Sequence, residues 1–443
     1  MTGRIVLVFP KLDVEKDYHY VPFSSLAVAA PLEARGIDYA IFDERLTPVE
    51  TLLDLLKDAR AVGVTVFTGY QTHRGYELLR LIKQAAPDVP TIVGGPHVTA
   101  LPVQTVASEL VDYAIAGYGE APFFALVWRL LNDQPIDDMP GLARKEKSNG
   151  SICFTPAETR FNPAYWHRLP FHRLSIPEYI NPTTRRVLYV SSYGCPGRCR
   201  FCATTEFRKL ASRPVAMVRE DLDHLYGLYP FEELNLADAT FFAQRGRVLE
   251  ILDHLASFGQ LRWIADARAV EVRHMSDGDL CRLRDCGAEL IRLMVGLESG
   301  SPRIVEGIMN KGKGFLSAYR GVLGRLASVG IPVTSNLIFG TPGETLADLA
   351  ATRQFVREMR NIHPGLTLCT TFFRPLPGTE LYEDLVKSGF AMPTSFEEWA
   401  GYSNQSHFDY RVWMDIPWFE PRLEEEYRRG FDAFIDENRD ILA

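Results

Sequence analysis

The chain has 443 residues, 46% hydrophobic and 23% charged, a globular mixture that excludes disordered, collagen-like and coiled-coil classes. Lys and Arg total 48 against 56 Asp and Glu, a formal net charge of −8, so no overall positive field favours nucleic acid or an anionic membrane. The opening MTGRIVLVFPKLDVEKDYHY lacks the apolar core of a signal peptide, and no run approaches ~18 uninterrupted apolar residues, so a cytoplasmic protein without a membrane span is expected.

The first 135 residues read as a βαβ series. Short apolar runs at Ile5 to Phe9, Tyr39 to Phe42, Ala61 to Phe67, Thr91 to Val93 and Tyr113 to Ala116 alternate with helical stretches, notably Ser24 to Arg35, Gly75 to Ala86 and Glu120 to Leu131. Five such strands joined by crossover helices predict a doubly wound, Rossmann-like parallel sheet with its ligand site at the carboxyl ends of the strands. Residues 136–186 are expected to form a connector, because Pro135, Pro140, Pro156, Pro163, Pro170, Pro177 and Pro182 interrupt every long helix. A second βα series, 187–385, has strands at Val187, Leu234 to Leu236, Leu261 to Ala265, Leu290 to Val295, Val333 to Phe339 and Leu366 to Phe373. It predicts a partial (β/α)6 TIM-type barrel with chemistry at its C-terminal face. The tail, 386–443, concentrates Trp399, Tyr402, Phe408, Tyr410, Trp413, Trp418 and Phe419 and is expected to be a mostly helical, aromatic cap.

Three of seven cysteines, Cys195, Cys199 and Cys202, fall just after the first barrel strand with C-x3-C-x2-C spacing. One loop supplying three thiolates suits a compact polymetal centre with one iron left open for substrate. A zinc site completed by a distant residue and three unrelated thiols are the alternatives; no second C-x2-C pair is present, since four residues separate Cys281 from Cys286. Cys153, Cys281, Cys286 and Cys369 read as reduced structural thiols.

The motif, with Phe201 before Cys202, resembles the signature of the radical S-adenosylmethionine (SAM) superfamily. The resemblance implies that the three cysteines hold a [4Fe-4S] cluster and that SAM chelates the fourth iron. One-electron reduction then cleaves SAM to methionine and a 5′-deoxyadenosyl radical. Further strand ends are similar to the family's SAM-binding motifs. They nominate Phe201 beside the adenine, Asp238 for the amino group and Arg268 pointing into the barrel. Glu298 and Ser299 are expected near the ribose or methionine end, and Asn336 and Gly340 along the adenine.

Gly94-Gly95-Pro96-His97, with Gly117-Tyr118-Gly119-Glu120, resembles the cobalamin-binding domain fused to one subclass of that superfamily, where glycines at a strand end admit a bulky ligand. Thr65 sits where the family's hydroxyl-bearing strand end passes the ligand. The D-x-H-x-x-G signature of other cobalamin folds is absent after the first strand; Asp17-Tyr-His19 imitates only its first half. Tyr70 and Gln71, after Thr68, are the candidates to cover the lower cobalt face.

Together these resemblances imply a cobalamin-dependent radical SAM methyltransferase. One SAM would methylate Co(I); a second, cleaved at the cluster, would abstract hydrogen from a small-molecule substrate, whose radical takes the methyl from methylcobalamin. The acceptor would be an unactivated carbon or, less often, phosphorus, and a flavodoxin or ferredoxin would supply electrons. A cyclase or rearrangement enzyme with the same cofactors, and a non-catalytic iron-sulfur or corrinoid-binding protein, are the alternatives.

Overall fold

Backbone amides must be satisfied wherever apolar runs are buried, and parallel pairing does this for most of the short strands of this chain. The computed structural model describes residues 3–12, 20–136, 139–146, 149–403 and 416–442, without the side chains of 205–206, 288–295 and 403. Asp17, His19, Phe408, Tyr410 and Trp413 lie outside the described residues. The chain divides into two units. One is Met1–Asn181 with Glu220–Pro230 and Ala391–Asp409; the other is Pro182–Arg219 with Phe231–Phe390 and Tyr410–Ala443. No helix among the described residues is long and apolar enough to cross a membrane.

In the first unit, β1 (Arg4–Phe9), α1 (Phe23–Ala34), β2 (Tyr39–Asp43), α2 (Val49–Leu56), β3 (Ala59–Thr65) and α3 (Tyr70–Ala85) open the series. It continues through β4 (Thr91–Gly94), α4 (Pro96–Ala100), α5 (Pro102–Ala107), β5 (Tyr113–Ile115) and α6 (Glu120–Leu131). The sheet order is β2-β1-β3-β4-β5, all parallel, with its switch point between β1 and β3. Alternation along β1 sends Val6 and Val8 to a core with Leu78 and Ile82, and Ile5 and Leu7 to another with Leu32 and Leu126.

Within the stretch expected as a connector, two short strands instead extend this sheet. β6 (Leu142–Lys145) pairs antiparallel with β5, and β7 (Ile152–Phe154) with β6. Prolines stop helices but leave edge strands possible, which is why the stretch was open to this outcome. Farther along, Tyr179 is buried and its hydroxyl donates to Asp43 Oδ2 at 3.0 Å, beside the buried Arg45–Asp43 ion pair.

In the second unit, β8 (Arg186–Tyr189) is followed by a short antiparallel ribbon, β9 (Ser192–Tyr193) with β10 (Ala211–Ser212). Then come α7 (Val215–Leu228), whose residues from Glu220 onward belong to the first unit, β11 (Glu233–Leu236), α8 (Arg245–Leu255), β12 (Arg262–Asp266), α9 (Ala269–Arg273) and α10 (Asp277–Asp285). The series ends with β13 (Ala288–Glu298), α11 (Phe315–Ser328), β14 (Val333–Phe339), α12 (Leu346–Ile362), β15 (Leu366–Phe372) and α13 (Glu380–Lys387). Six parallel strands in sequence order, β8-β11-β12-β13-β14-β15, make the expected partial barrel. Ser335 bonds Tyr319 of α11, so the alternate residues Asn336 and Ile338 face inward, in register with Cys369 and Thr371 of β15.

The tail is not one cap. α14 (Phe396–Ser403) belongs to the first unit, with Phe396 and Trp399 fully buried, whereas α15 (Pro421–Asn438) belongs to the second.

At Gly95, φ is +105° and an added Cβ would lie 2.5 Å from Val66 O. Gly95→Ala should therefore destabilise the first unit by roughly 1–3 kcal/mol through strain, read as a lower denaturation midpoint; an unchanged midpoint would mean the β3–β4 contact yields freely.

Candidate functional site

The β9–β10 ribbon closes a loop at the carboxyl end of β8 that carries Cys195, Cys199 and Cys202. Gly194 starts it at φ +80°, where a Cβ would sit 2.5 Å from Phe207 O, so only glycine fits. The Gly197 amide donates to Cys195 Sγ at 3.4 Å. Both ends of the loop are tied down. Asp238, at the end of β11, accepts from Ser191 N, Ser191 Oγ and Ser192 Oγ, each at 2.6 Å. At the other end the Arg200 amide donates to Met309 O at 3.1 Å, and its guanidinium reaches Ile308 O, Glu380 and Asp384.

Cys195 and Cys199 are buried, and burial pushes both thiols up, Cys199 to about 11. Lys311 and Arg268 oppose that rise at Cys199, and Arg268 does so at Cys195. Among the described residues, no three His, Cys, Asp or Glu side chains converge where a single ion could sit. A four-iron cluster makes a different demand, one thiolate to each of three irons, and a short loop with two nearby cations meets it.

The nominated SAM residues separate into two groups. Phe201, Arg268, Glu298 and Asn336 remain candidates. Phe201 and Asn336 are half-buried. The Arg268 guanidinium lies against Gly197 of the cluster loop, and its Nε has no partner among the described residues. Glu298 is buried at the end of β13 with φ +54° and receives Lys311 Nζ at 2.8 Å.

The other three are engaged within the protein. Asp238 is fully buried with its oxygens taken by Ser191 and Ser192, so it orders the cluster loop rather than offering a free carboxylate to SAM. Ser299 turns away from the barrel interior, its Oγ 2.9 Å from Thr352 Oγ1 on α12. Gly340 has both backbone groups occupied by the tail: its N–H donates to Tyr427 Oη at 3.1 Å, and its carbonyl accepts from Trp418 Nε1 at 2.8 Å.

Lys311 was not anticipated. Its signal was the turn run Asn310-Lys311-Gly312-Lys313-Gly314, in which 310, 312 and 314 all adopt positive φ.

In the first unit, register aligns Thr65, Gly94 and Ile115 across the carboxyl edge of β3, β4 and β5. Above it the β3–α3 loop exposes Phe67, 44% accessible, next to buried Thr68, Gly69 at φ +133° and half-buried Tyr70. An open aromatic ring on a polar edge fits one face of a large, flat, largely apolar ligand.

Gln71 is no cover for such a ligand. It is buried, its Oε1 accepting from Phe67 N and its Nε2 donating to Pro10 O, both at 3.0 Å, so it staples the two loops across the switch point. His97 is buried against the rings of Phe396 and Trp399, its Nδ1 3.0 Å from Thr68 Oγ1, and desolvation lowers it to about 3, so it is a neutral interior residue. The glycines serve internal packing as well. A Cβ on Gly117 would approach Ala157 Cβ to 2.7 Å, and one on Gly119 would come within 3.3 Å of Val28. Glu120, buried, opens α6 and raises Tyr118 to about 12 alongside desolvation.

Residues 12–127 match the family model of the B12 binding domain and residues 189–356 that of the Radical SAM superfamily. The chain is 26% identical over 389 residues to an uncharacterized methyltransferase of Pyrococcus horikoshii, covering 85% of this chain and 81% of that one. It is 24% identical to an anaerobic magnesium-protoporphyrin IX monomethyl ester cyclase of Rubrivivax gelatinosus, covering 81% and 65%. Among solved structures it shares the fold of the radical SAM methyltransferase TsrM from Kitasatospora setae with cobalamin and a [4Fe-4S] cluster bound. That match has a TM-score of 0.72 at 17% identity, over 88% of this chain and 78% of the other.

Alanine at Cys195, Cys199 or Cys202 should abolish the cluster, read as loss of iron, sulfide and charge-transfer absorbance after anaerobic reconstitution; retention in any variant would contradict the ligand set.

Glu344 gives a second test. It is buried beside Tyr427, and desolvation raises its carboxyl to about 7 from an ordinary 4.5. The fold favours the neutral acid, so its contribution is complete below about pH 4.5 and is lost as pH rises through about 7. Glu344→Gln should remove that dependence, gaining up to about 3 kcal/mol on the wild type between pH 4 and 8; parallel stability profiles would rule it out.

Proposed function

With a B12 binding domain ahead of a radical SAM domain, the chain belongs to the cobalamin-dependent radical SAM enzymes, and we propose that it methylates an unactivated carbon of a small-molecule substrate. The observation that carries this reading is the loop of three thiols at the carboxyl end of the first barrel strand, tied at both ends and flanked by Arg268 and Lys311. When bound, the cluster with SAM supplies a 5′-deoxyadenosyl radical, and cobalamin carries the methyl group between SAM and substrate.

The chain's own residues hold and shield these groups. Cys195, Cys199 and Cys202 would hold the cluster. Asp238 and the Arg200 clamp tie the loop down, and would hold the thiols in one arrangement for the cluster. Phe201, Arg268, Glu298 and Asn336 would receive SAM. The inward row Ile338, Cys369 and Thr371 on β14 and β15 would line the remaining space.

In the first unit, Thr65, Phe67, Thr68, Tyr70, Gly94 and Gly117 would bear the corrinoid, with Tyr70 the remaining candidate beneath cobalt. An external flavodoxin or ferredoxin would deliver electrons. The region N-terminal to residue 136 and the barrel at 187–385 would carry the two cofactor functions.

Anaerobic turnover, with reductant and corrinoid supplied, tests the reading through SAM-derived products. S-Adenosylhomocysteine and 5′-deoxyadenosine should form in comparable amounts. 5′-Deoxyadenosine alone would assign the chain to ring formation or rearrangement, the chemistry named for its R. gelatinosus relative. Protein that binds no corrinoid, whether or not the expressing cells are supplied with it, would remove cobalamin from the mechanism.

A further inference from the structure

We propose that Glu298 and Lys311 form a buried, oriented charge pair whose positive end raises the reduction potential of the cluster on the 195–202 loop. The inference rests on the cluster assignment above and adds a role for the pair. Lys311 Nζ lies 2.8 Å from Glu298 Oε1 and 3.1 Å from Gly296 O, with the two side chains 0% and 3% exposed. The backbone holds unusual conformations to place them, since Glu298 and neighbouring Asn310 both have positive φ, +54° and +56°. Conformations of this kind persist where the surroundings enforce them, and they cluster at functional sites. Stability gives no account of the pair, because a buried ion pair is commonly no better than an apolar replacement.

The orientation is specific. A π-helix, Arg303–Ile308, leads into the segment that carries Lys311, and this segment binds the cluster loop directly through Arg200 N to Met309 O and Asn310 Nδ2 to Arg198 O at 3.3 Å. The ammonium lies 5.9 Å from the centroid of Phe201, inside the three-cysteine motif, and 4.8 Å from that of Phe315. The pair is neutral overall, and its positive end is the one that faces Phe201 of the three-cysteine motif.

Reduction adds one electron, delivered by the external donor, and so one negative charge at the cluster. The positive end, which faces Phe201 of the motif, stabilises that charge and the carboxylate opposes it. A unit charge within ~10 Å in a protein interior is worth about tenfold or more in such an equilibrium.

The test is a redox titration of reconstituted full-length protein without SAM, followed by the electron paramagnetic resonance of the reduced cluster. Lys311→Met should lower the midpoint potential and Glu298→Gln should raise it. Each change should amount to about tenfold in the oxidised-to-reduced ratio at fixed potential, about 59 mV for one electron. Lys311→Arg should stay near wild type. Shifts of the same sign, or none, in variants with full iron and sulfide content would overturn the proposal. If Lys311→Met fails to assemble, the isosteric Glu298→Gln decides alone, and a potential that does not rise refutes the role. Absence of a cluster from the wild-type protein would instead refute the assignment on which the inference rests.

Discussion

Bringing three thiolates together in a protein interior is electrostatically unfavourable, and much of the second unit is arranged around that constraint. Burial alone drives the Cys199 thiol toward its neutral form. Iron relieves the problem when bound, and Arg268 and Lys311 lower the cost of the anionic site. The same constraint explains the rigidity of the loop. A loop free to move would let water screen the charges and let the thiols separate, whereas this one is held at β9–β10, at Asp238 and through Arg200. The tail contributes at the end of β14, where Tyr427 and Trp418 take the N–H and carbonyl of Gly340 and leave β14 with few ways to shift.

The first unit solves a different problem. A doubly wound sheet opens a crevice where its strand order reverses, and the loops on either side are the least supported part of the fold. Gln71 spans that point with both ends of its amide. Loop support of this kind leaves Phe67 and Tyr70 free to present their rings. His97 sits below, 3.0 Å from the Thr68 hydroxyl and packed against Phe396 and Trp399 of α14.

Several residues nominated for ligand contact prove to be supports. Asp238, Ser299, Gln71, His97 and Gly340 share one property: each occurs in a motif position close to the ligand edge, where its chemical type suits either role. A carboxylate that can meet an ammonium can equally accept from two serine hydroxyls and an amide. A strand-end hydroxyl turns inward or toward a helix according to a single step of register, which is why Ser299 reaches Thr352. Lys311 illustrates the converse. Lysine in a glycine-rich turn ordinarily reads as surface, and only the packing of 308–311 on the cluster loop buries it.

Sequence alone determined the features that depend on local pattern. Strand and helix order in both βα series follows from hydrophobic period and turn residues, and the proposed cluster ligands follow from cysteine spacing within eight positions, because both signals act over a few residues. Tertiary structure decided the features that depend on which distant group arrives as a partner. It placed β6 and β7 on the first sheet, divided the tail between α14 and α15, and paired Glu298 with Lys311 thirteen residues away. A buried polar atom must find a partner, but many sequence positions can supply one, and only the folded chain brings a particular group within three ångströms.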